Sequence, residues 1–339
     1  MRVGAFVVAA QFPGQGQGET LHRAVRTAEV AEEAGLDSVW LAEHHFVPYG
    51  VCPSAVTLAA LLLGRTRRLR VGTAVSVLPN THPVALGEQA ALLHLISGGR
   101  FTLGVGRGGP WVDLEVFGAG LRAYESGFPE DLDLLRRWLT EPRVSAIGER
   151  HVFRQVAVVP RPAEALDGDG SGPEVIVACT SPASVRLAAE RGLPMLLGMH
   201  CGDEDKAAMV ALYRRTAAAA GHDPHAPHVS AGVCQLADRS ADARETLAKA
   251  MPGWLKQGLE AHVTVDGRMR AMRDPVAYTE LLCDLHPVGT PRRAADRLAA
   301  TAERTGITRF ALLTEGSGDL AATEENVRRL GAEVLPRIG

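Results

Sequence analysis

Asp37-Ser-Val-Trp-Leu-Ala-Glu43-His44-His45-Phe46 begins as a short, mostly apolar segment, Ser38 to Ala42, and ends in three ionisable side chains. Gly35 and Asp37 bound it on one side, Pro48 and Gly50 on the other, which suits a buried strand of a parallel sheet. In parallel α/β proteins the carboxyl ends of the strands carry the chemistry, because the strand fixes the backbone while the following loop leaves the side chain accessible. Glu43, His44 and His45 are therefore the first candidate site residues.

Outward from this segment, strand-like apolar stretches alternate with amphipathic helical ones, and that order implies a parallel sheet. The strands read as Val3–Ala9, Ser38–Ala42, Leu69–Val77, Phe101–Gly106, Glu174–Cys179, Met195–Gly198, Val229–Leu236 and Arg309–Thr314, and eight of them favour a closed (β/α)8 TIM barrel over a doubly wound sheet. The helices read as Glu19–Ala34, Ser54–Leu63, Pro83–Ile96, Pro129–Leu139, Pro182–Arg191, Asp203–Ala220, Ala241–Leu259, Pro291–Thr305 and Leu320–Leu335. Ser181-Pro182 and Thr290-Pro291 each set a capping hydroxyl before a proline at the first helical position, and Gly35, Gly192 and Gly306 read as helix stops. Two stretches exceed the repeat, residues 141–172 and 262–287. As insertions at a barrel mouth they are expected to serve as lids or pocket walls, with Asp167 to Gly172 the part that reads as a disordered excursion.

A chain of 339 residues fits one such barrel with embellishments, so a single domain spans 1–339. With 46% hydrophobic and 22% charged residues and a formal charge of −3, the composition is that of an ordinary globular protein with nothing to attract a nucleic-acid backbone. The opening apolar run breaks at Gln11 and Pro13 and reads as a first strand instead of a signal peptide, and no membrane span is expected. Cys52, Cys179, Cys201, Cys234 and Cys283 are odd in number and lack a C-x-x-C pair, which points to a reduced, cytoplasmic protein.

Gly104-Val-Gly106-Arg107-Gly108-Gly109 follows a strand but lacks the spacing of a dinucleotide fingerprint, and Pro110 and Trp111 interrupt the helix that should follow. It reads as a backbone that turns tightly beside a flat ligand, with Arg107 aimed into the mouth; the plainer alternative is a glycine-rich loop with a solvated arginine. Gly14-Gln-Gly16-Gln-Gly18 reads as a loop only. Cys179-Thr180-Ser181-Pro182 leaves a strand and enters a helix, a ready anion site, with simple capping by Ser181 as the alternative. His44 and His45, being adjacent, are expected on opposite faces, and His222, His225 and His228 lie in a proline-bearing loop without a carboxylate pattern, so no metal site is assigned. G-x-S-x-G is absent, which removes the usual serine hydrolase.

Seven collinear segments carry a family resemblance: Val39 to Phe46, Val71-Gly-Thr73-Ala-Val-Ser-Val-Leu-Pro79, His82-Pro83-Val84, Gly99 to Gly108, Val116-Phe-Gly118, Gly192-Leu-Pro-Met-Leu-Leu197 and Pro287-Val-Gly-Thr-Pro291. Together they resemble the bacterial luciferase-like flavin monooxygenases, the catalytic chain of bacterial luciferase included. The resemblance implies a (β/α)8 barrel that binds reduced FMN and uses O2, through a flavin peroxide, to oxidise a small organic substrate. It implies His44 as acid or base with His45 beside it, and a cis peptide between Ala74 and Val75 beneath the flavin ring. The flavin contacts it implies are Glu43, Ala74, Val75, Gly106, Arg107 for the phosphate, Cys179, Thr180, Ser181, Gly198 and Met199. The residues agree on their own terms: Ala74, Val75 and Gly106 give an apolar floor, and a histidine titrating near neutrality suits proton transfer.

Departures from luciferase are Gly106 where the light-emitting enzyme has a cysteine, the loop at 179–182 without its acid, and a shorter lid; these argue against light emission and a long-chain aldehyde. A separate flavin reductase is the expected source of reduced FMN, since no nicotinamide-binding domain is recognised. A deazaflavin-dependent dehydrogenase on the same barrel and a non-catalytic flavin-binding subunit are the alternatives; the Glu43 to Phe46 match speaks against the first, and His44 with Arg107 against the second. The helix 54–63, apolar almost all round, and the helix 83–96 are expected to meet a second subunit in a homodimer.

Overall fold

The computed structural model describes residues 1–164, 171–268 and 273–339. In chain order the elements are β1 (Arg2–Val7), α1 (Gln17–Glu33), β2 (Ser38–Leu41), α2 (Ala55–Arg65), β3 (Arg70–Thr73), β4 (Ser76–Val77), α3 (Pro83–Ile96), β5 (Phe101–Gly106), α4 (Asp113–Val116) and α5 (Phe128–Thr140). There follow β6 (Arg143–Ile147), β7 (Val152–Ala157), β8 (Glu174–Cys179), α6 (Pro182–Ala189), β9 (Met195–Leu197), α7 (Asp203–Ala219), β10 (Val229–Val233), β11 (Gln235–Leu236) and α8 (Ser240–Glu260). The chain ends with α9 (Pro275–Leu285), β12 (Val288–Gly289), α10 (Pro291–Thr305), β13 (Arg309–Leu313), α11 (Leu320–Arg329) and α12 (Leu335–Ile338).

The sheet runs β3-β2-β1-β13-β10-β9-β8-β5, and β3 pairs with β5, so eight parallel strands close into a barrel. Its interior is plugged by Trp40, Ile176, Leu196, Val229, Ala231 and Ala311. A Cβ on Gly72 would come within 2.5 Å of the Trp40 ring, so the indole occupies the space that a side chain on β3 would need. At the amino end Arg309 forms a bidentate pair with Glu174 at 2.7 and 2.9 Å, its guanidinium 5.8 Å from the Trp40 ring. Larger aliphatic residues face outward and meet the helices in the main core. A further cluster, with Phe12, Met251, Trp254 and Leu282, lies under α8 and α9 near the carboxyl end and supports the site from behind.

The helix signals operate as their chemistry suggests. Ser181 and Thr290 accept backbone N–H bonds with a proline following each, and Gly35, Gly192 and Gly306 have φ of 78°, 65° and 77°. Two of the expected strands are broken. The segment 69–77 divides at Ala74-Val75 into β3 and β4, and the segment 229–236 divides into β10 and β11, the second half leaving the barrel to pair with β12.

The expected insertions contain structure of their own. Within residues 141–172, β6 and β7 form an antiparallel hairpin, and Val144, Ala146 and Val158 are buried against Leu134 and Trp138 of α5. The hairpin clamps α5 through Asp131, which accepts from Arg150 Nε at 2.8 Å and lies 2.7 Å from His151 Nε2. No hairpin residue lines the cavity described below, so this insertion braces the barrel flank where a pocket wall was expected. Residues 262–287 contain α9, opened by Asp274, whose side chain accepts from Ala277 N at 2.7 Å. Residues 167–170 of the expected excursion and 269–272 of the expected lid lie outside the described residues.

Candidate active site

A cavity of about 760 Å³ opens among the loops that follow β2, β3, β5 and β9, within the size range of small-molecule sites. Its floor comes from the break in the 69–77 strand. The Ala74–Val75 peptide is cis, at the position the resemblance implied. Ala74 N donates to Leu41 O, while the Thr73 hydroxyl donates to Gly104 O at 2.7 Å and accepts from Gly104 N at 2.9 Å. One side chain thus satisfies both backbone groups of Gly104 where the strand departs. A Cβ on Gly104 would lie 2.0 Å from Thr73 O, so only glycine allows this approach.

Gly106 has a different role from the expected flavin contact. A Cβ there would lie 2.5 Å from Val75 Cγ2, so Gly106 is the seat on which Val75 rests and is not itself a lining residue. Ala74, Val75, Val77, Gly108 and Gly109 line the cavity and offer no charge, a surface that fits one face of a flavin ring. The glycines after Arg107 also accommodate side chains: a Cβ on Gly108 would meet Val77 Cγ1 at 2.7 Å, and one on Gly109 would meet the Trp111 indole Nε1 at 2.1 Å.

Glu43, His44 and His45 all line the cavity, beyond the end of β2. The Glu43 carboxylate is spent on backbone, accepting from Ala55 N at 3.2 Å and Val77 N at 3.0 Å, with His45 Nε2 3.5 Å away. It fixes the start of α2 and the strand after the floor, a structural use where a cofactor contact was expected. His45 lies edge-on to Phe117, centroids 4.9 Å apart, and Phe46 takes a positive φ of 62° and stacks on Phe117 at 5.9 Å. The His44 ring meets Tyr49 edge-on at 5.0 Å, and its Nδ1 is buried without a hydrogen bond. Burial, joined by nearby His262 and His45, pushes the His44 pKa down to about 3. This corrects the expectation of a histidine titrating near neutrality: His44 is held neutral, able to exchange hydrogen bonds with a ligand but a weak proton acceptor.

The aromatic part of the lining is one that sequence reasoning passed over. Tyr49, Trp111, His200, His262 and Tyr278 form it. Tyr49 stacks on Trp254 at 4.8 Å, and the Trp254 indole donates to Tyr49 O at 2.9 Å. His262 stands at the end of α8 with Nδ1 2.9 Å from Gly258 O and its ring 4.7 Å from Trp111. Val112 N donates to Val263 O and Val265 N to Pro110 O, both at 2.9 Å, so residues 263–265 strap across the loop after β5. Asp113 adds no free charge: its carboxylate accepts from Asn80 Nδ2 at 2.8 Å and Leu114 N at 3.1 Å.

The expected anion site is only partly available. Arg107 and the start of α6 follow the neighbouring strands β5 and β8, yet Arg107 leans 4.2 Å over the Tyr124 ring and donates to its hydroxyl at 3.2 Å. Thr180 N and Ser181 N donate to Ser184 Oγ at 3.2 and 3.1 Å, and Ser184 N donates to Ser181 Oγ, so a closed capping box fills amides expected to be free. The Cys179 thiol is buried, donating toward Val177 O and Ser184 O, which places it outside the site. Gly198 makes room for the His200 ring, 2.6 Å from where its Cβ would be, and Met199 closes the barrel interior while its carbonyl accepts from His286 Nε2 at 2.6 Å. Neither Gly198 nor Met199 lines the cavity; their neighbour His200 does.

Comparison with known proteins agrees with this geometry. The family model of the luciferase-like monooxygenases matches residues 1–309. An alkanal monooxygenase alpha chain of Photorhabdus luminescens is 30% identical, the match covering 99% of this chain and 97% of that one. Among solved structures, the monooxygenase RslO1 from Streptomyces bottropensis superposes with a TM-score of 0.85 at 26% identity over the whole of both chains. The oxygenating constituent of 3,6-diketocamphane monooxygenase of Pseudomonas putida, solved with FMN, gives 0.79 at 23% over 100% of this chain and 99% of that one. An F420-dependent secondary alcohol dehydrogenase gives 0.76 at 17%, over 100% and 99%; at these last two identities the likeness is one of fold. A closed parallel barrel, a floor at Ala74–Val75 and a match along nearly the whole chain lead to one conclusion: this oxidoreductase belongs to the luciferase-like monooxygenase family.

Proposed function

We propose that this chain is an FMN-dependent monooxygenase that uses reduced FMN and O2 to oxidise a small organic substrate. The observation that carries the proposal is the floor: Ala74 and Val75, seated on Gly106 and continued by Gly108 and Gly109, offer a flat uncharged surface beneath a cavity of about 760 Å³. Reduced FMN would supply the electrons for splitting O2, one oxygen atom going to substrate and the other to water. The protein's part is to hold the ring on Val75, to present His44 and His45 to it as hydrogen-bonding neighbours, and to exclude water with Tyr49, Trp111 and the 263–265 strap. Arg107 lacks a carboxylate partner among the described residues and is assigned the flavin phosphate, aided by the Ala183 amide that the capping box leaves over.

The barrel and its insertions account for the described residues, so we assign electron supply to a separate flavin reductase. Five unpaired, buried cysteines favour a reducing, cytoplasmic setting. Leu61 of α2 and Leu92 and Ile96 of α3 are exposed by 48%, 51% and 68%, which favours a homodimer that covers them; a stable monomer in sedimentation would refute it.

The test of the main proposal is to mix the protein anaerobically with reduced FMN and then admit oxygen. Retention of the flavin with altered reoxidation kinetics supports it. Reoxidation at the rate of free flavin, together with tight binding of a deazaflavin, would move the assignment to the dehydrogenase branch.

A further inference from the structure

The cavity lining has two chemically unlike parts, and the part beyond the flavin floor has its own chemistry. Aromatic residues make up only 5% of the chain, yet two of its four tyrosines, Tyr49 and Tyr278, and one of its four tryptophans, Trp111, line this cavity. Tyr49 is held rigidly, stacked on Trp254 with an interplanar angle of 19° and resting where a Cβ on Gly258 would lie 2.8 Å away. Rings fixed in this way offer flat contact at little entropic cost, which favours planar ligands over flexible chains.

Polar groups on the same lining indicate what the planar ligand carries. His262 Nδ1 lies 2.9 Å from the Gly258 carbonyl, which can only accept, so Nδ1 bears the hydrogen. Burial holds the ring toward its neutral form, and Nε2 is then the lone-pair acceptor of a ring that lines the cavity. Arg268 and Arg273 also line the cavity; Arg273 lies 5.0 Å over the Tyr278 ring, and no carboxylate among the described residues pairs with either arginine. Three carboxylates line the cavity, Glu43, Asp113 and Glu260; the first two are already taken by backbone amides and Asn80. An acceptor, two arginines without a carboxylate partner among the described residues, and flat rings thus share the lining of one cavity.

We propose that this part of the lining binds a planar aromatic substrate carrying an acidic hydroxyl or carboxyl group. The ring would lie against Trp111, Tyr49 and Tyr278, an anionic oxygen on Arg273 and Arg268, and a hydroxyl on His262 Nε2. The assignment rests on the monooxygenase reading, which gives the floor to the flavin.

The experiment is a fluorescence titration of the FMN-loaded protein with 3-hydroxy-2-naphthoate, decanoate and decanal. The naphthoate is expected to bind most tightly, and Arg273→Gln and Trp111→Leu each to weaken it about tenfold, as for loss of a charge-assisted hydrogen bond or an aromatic wall. FMN affinity is expected to stay unchanged in Arg273→Gln. Decanoate or decanal binding as tightly as the naphthoate, or an Arg273→Gln variant that binds it like wild type, would overturn the proposal. An Arg273→Gln variant that loses FMN instead would also overturn it, by giving Arg273 to the flavin phosphate. Naphthoate binding that responds to both variants in a protein that takes no FMN would remove the monooxygenase reading and leave this one standing.

Discussion

Acidification is expected to unfold this protein earlier than its carboxylates alone would cause, because two histidines are buried neutral far from water. His228 is 5% exposed, accepts from Met195 N through Nδ1 at 3.1 Å and lies edge-on to Tyr213 at 4.4 Å; burial, helped by Arg214, pushes it down to about 4. His286 is 6% exposed and donates to Met199 O at 2.6 Å; burial, helped by the Lys206 charge, pushes it down to about 3. Both folded values lie below the ordinary 6.5, so between pH 6.5 and 4 the unfolded chain binds protons that the native one excludes. Their contribution is whole above that range and is lost as the pH falls. At about pH 5 each histidine costs about 2 kcal/mol relative to neutral pH, and the pair adds a slope of about 2.7 kcal/mol per pH unit. The assay is urea denaturation followed by tryptophan fluorescence at several pH values. His228→Gln and His286→Gln are each expected to remove about half of the pair's slope, whatever they do to stability at neutral pH. Slopes in both variants parallel to wild type would refute the reasoning.

Three further outcomes are expected. His44→Ala should keep the fold while lowering turnover about tenfold, as for loss of a hydrogen bond to the bound flavin or substrate, and unchanged turnover would leave His44 only its packing against Tyr49 and Gly50. Arg107→Ala should weaken FMN about tenfold more than riboflavin, which lacks the phosphate; equal losses measured by flavin fluorescence would assign the guanidinium to the ring or the substrate. Glu315 and Arg23 are each 1% exposed and 3.6 Å apart, and Glu315 also accepts from Val8 N at 2.7 Å, so Glu315→Ala should cost about 3–5 kcal/mol in urea unfolding, with Arg23→Met/Glu315→Leu recovering most of it. Single losses that simply add in the double variant would show that the two groups are not coupled.

The barrel was legible in the sequence because its strands are uninterrupted apolar runs with helix caps between them; Phe101–Gly106 and Glu174–Cys179 are found with the boundaries read from sequence. The floor break was harder, since Val71 to Val77 keeps its apolar character straight through Ala74-Val75 and only the family resemblance marked the spot. Helix α9 carried a signal in Asp274-Pro275, a capping residue before proline, that was absorbed into an expected loop. Ser184 closing the capping box was equally local and equally missed. The aromatic wall was not legible: Tyr49, Trp111, His262 and Tyr278 come from four distant segments, and nothing in the neighbourhood of any one names the other three. His44 was found by position, but its neutral state depends on burial, which a strand-end pattern does not reveal.

The Thr73 hydroxyl, donating to and accepting from Gly104, has a consequence for what can replace it. A barrel is a cask: a stave cut short should let the hoop spring, yet here one side chain serves as the missing rung and the wall opens inward without loosening. Valine would match the shape and leave an N–H and a C=O dry and unpaired, while serine would keep both bonds and surrender only a methyl contact. Position 73 thereby holds the wall together where the strand departs, and laboratory evolution that seeks a wider chamber has more freedom at Val77 or Trp111 than at this hidden alcohol.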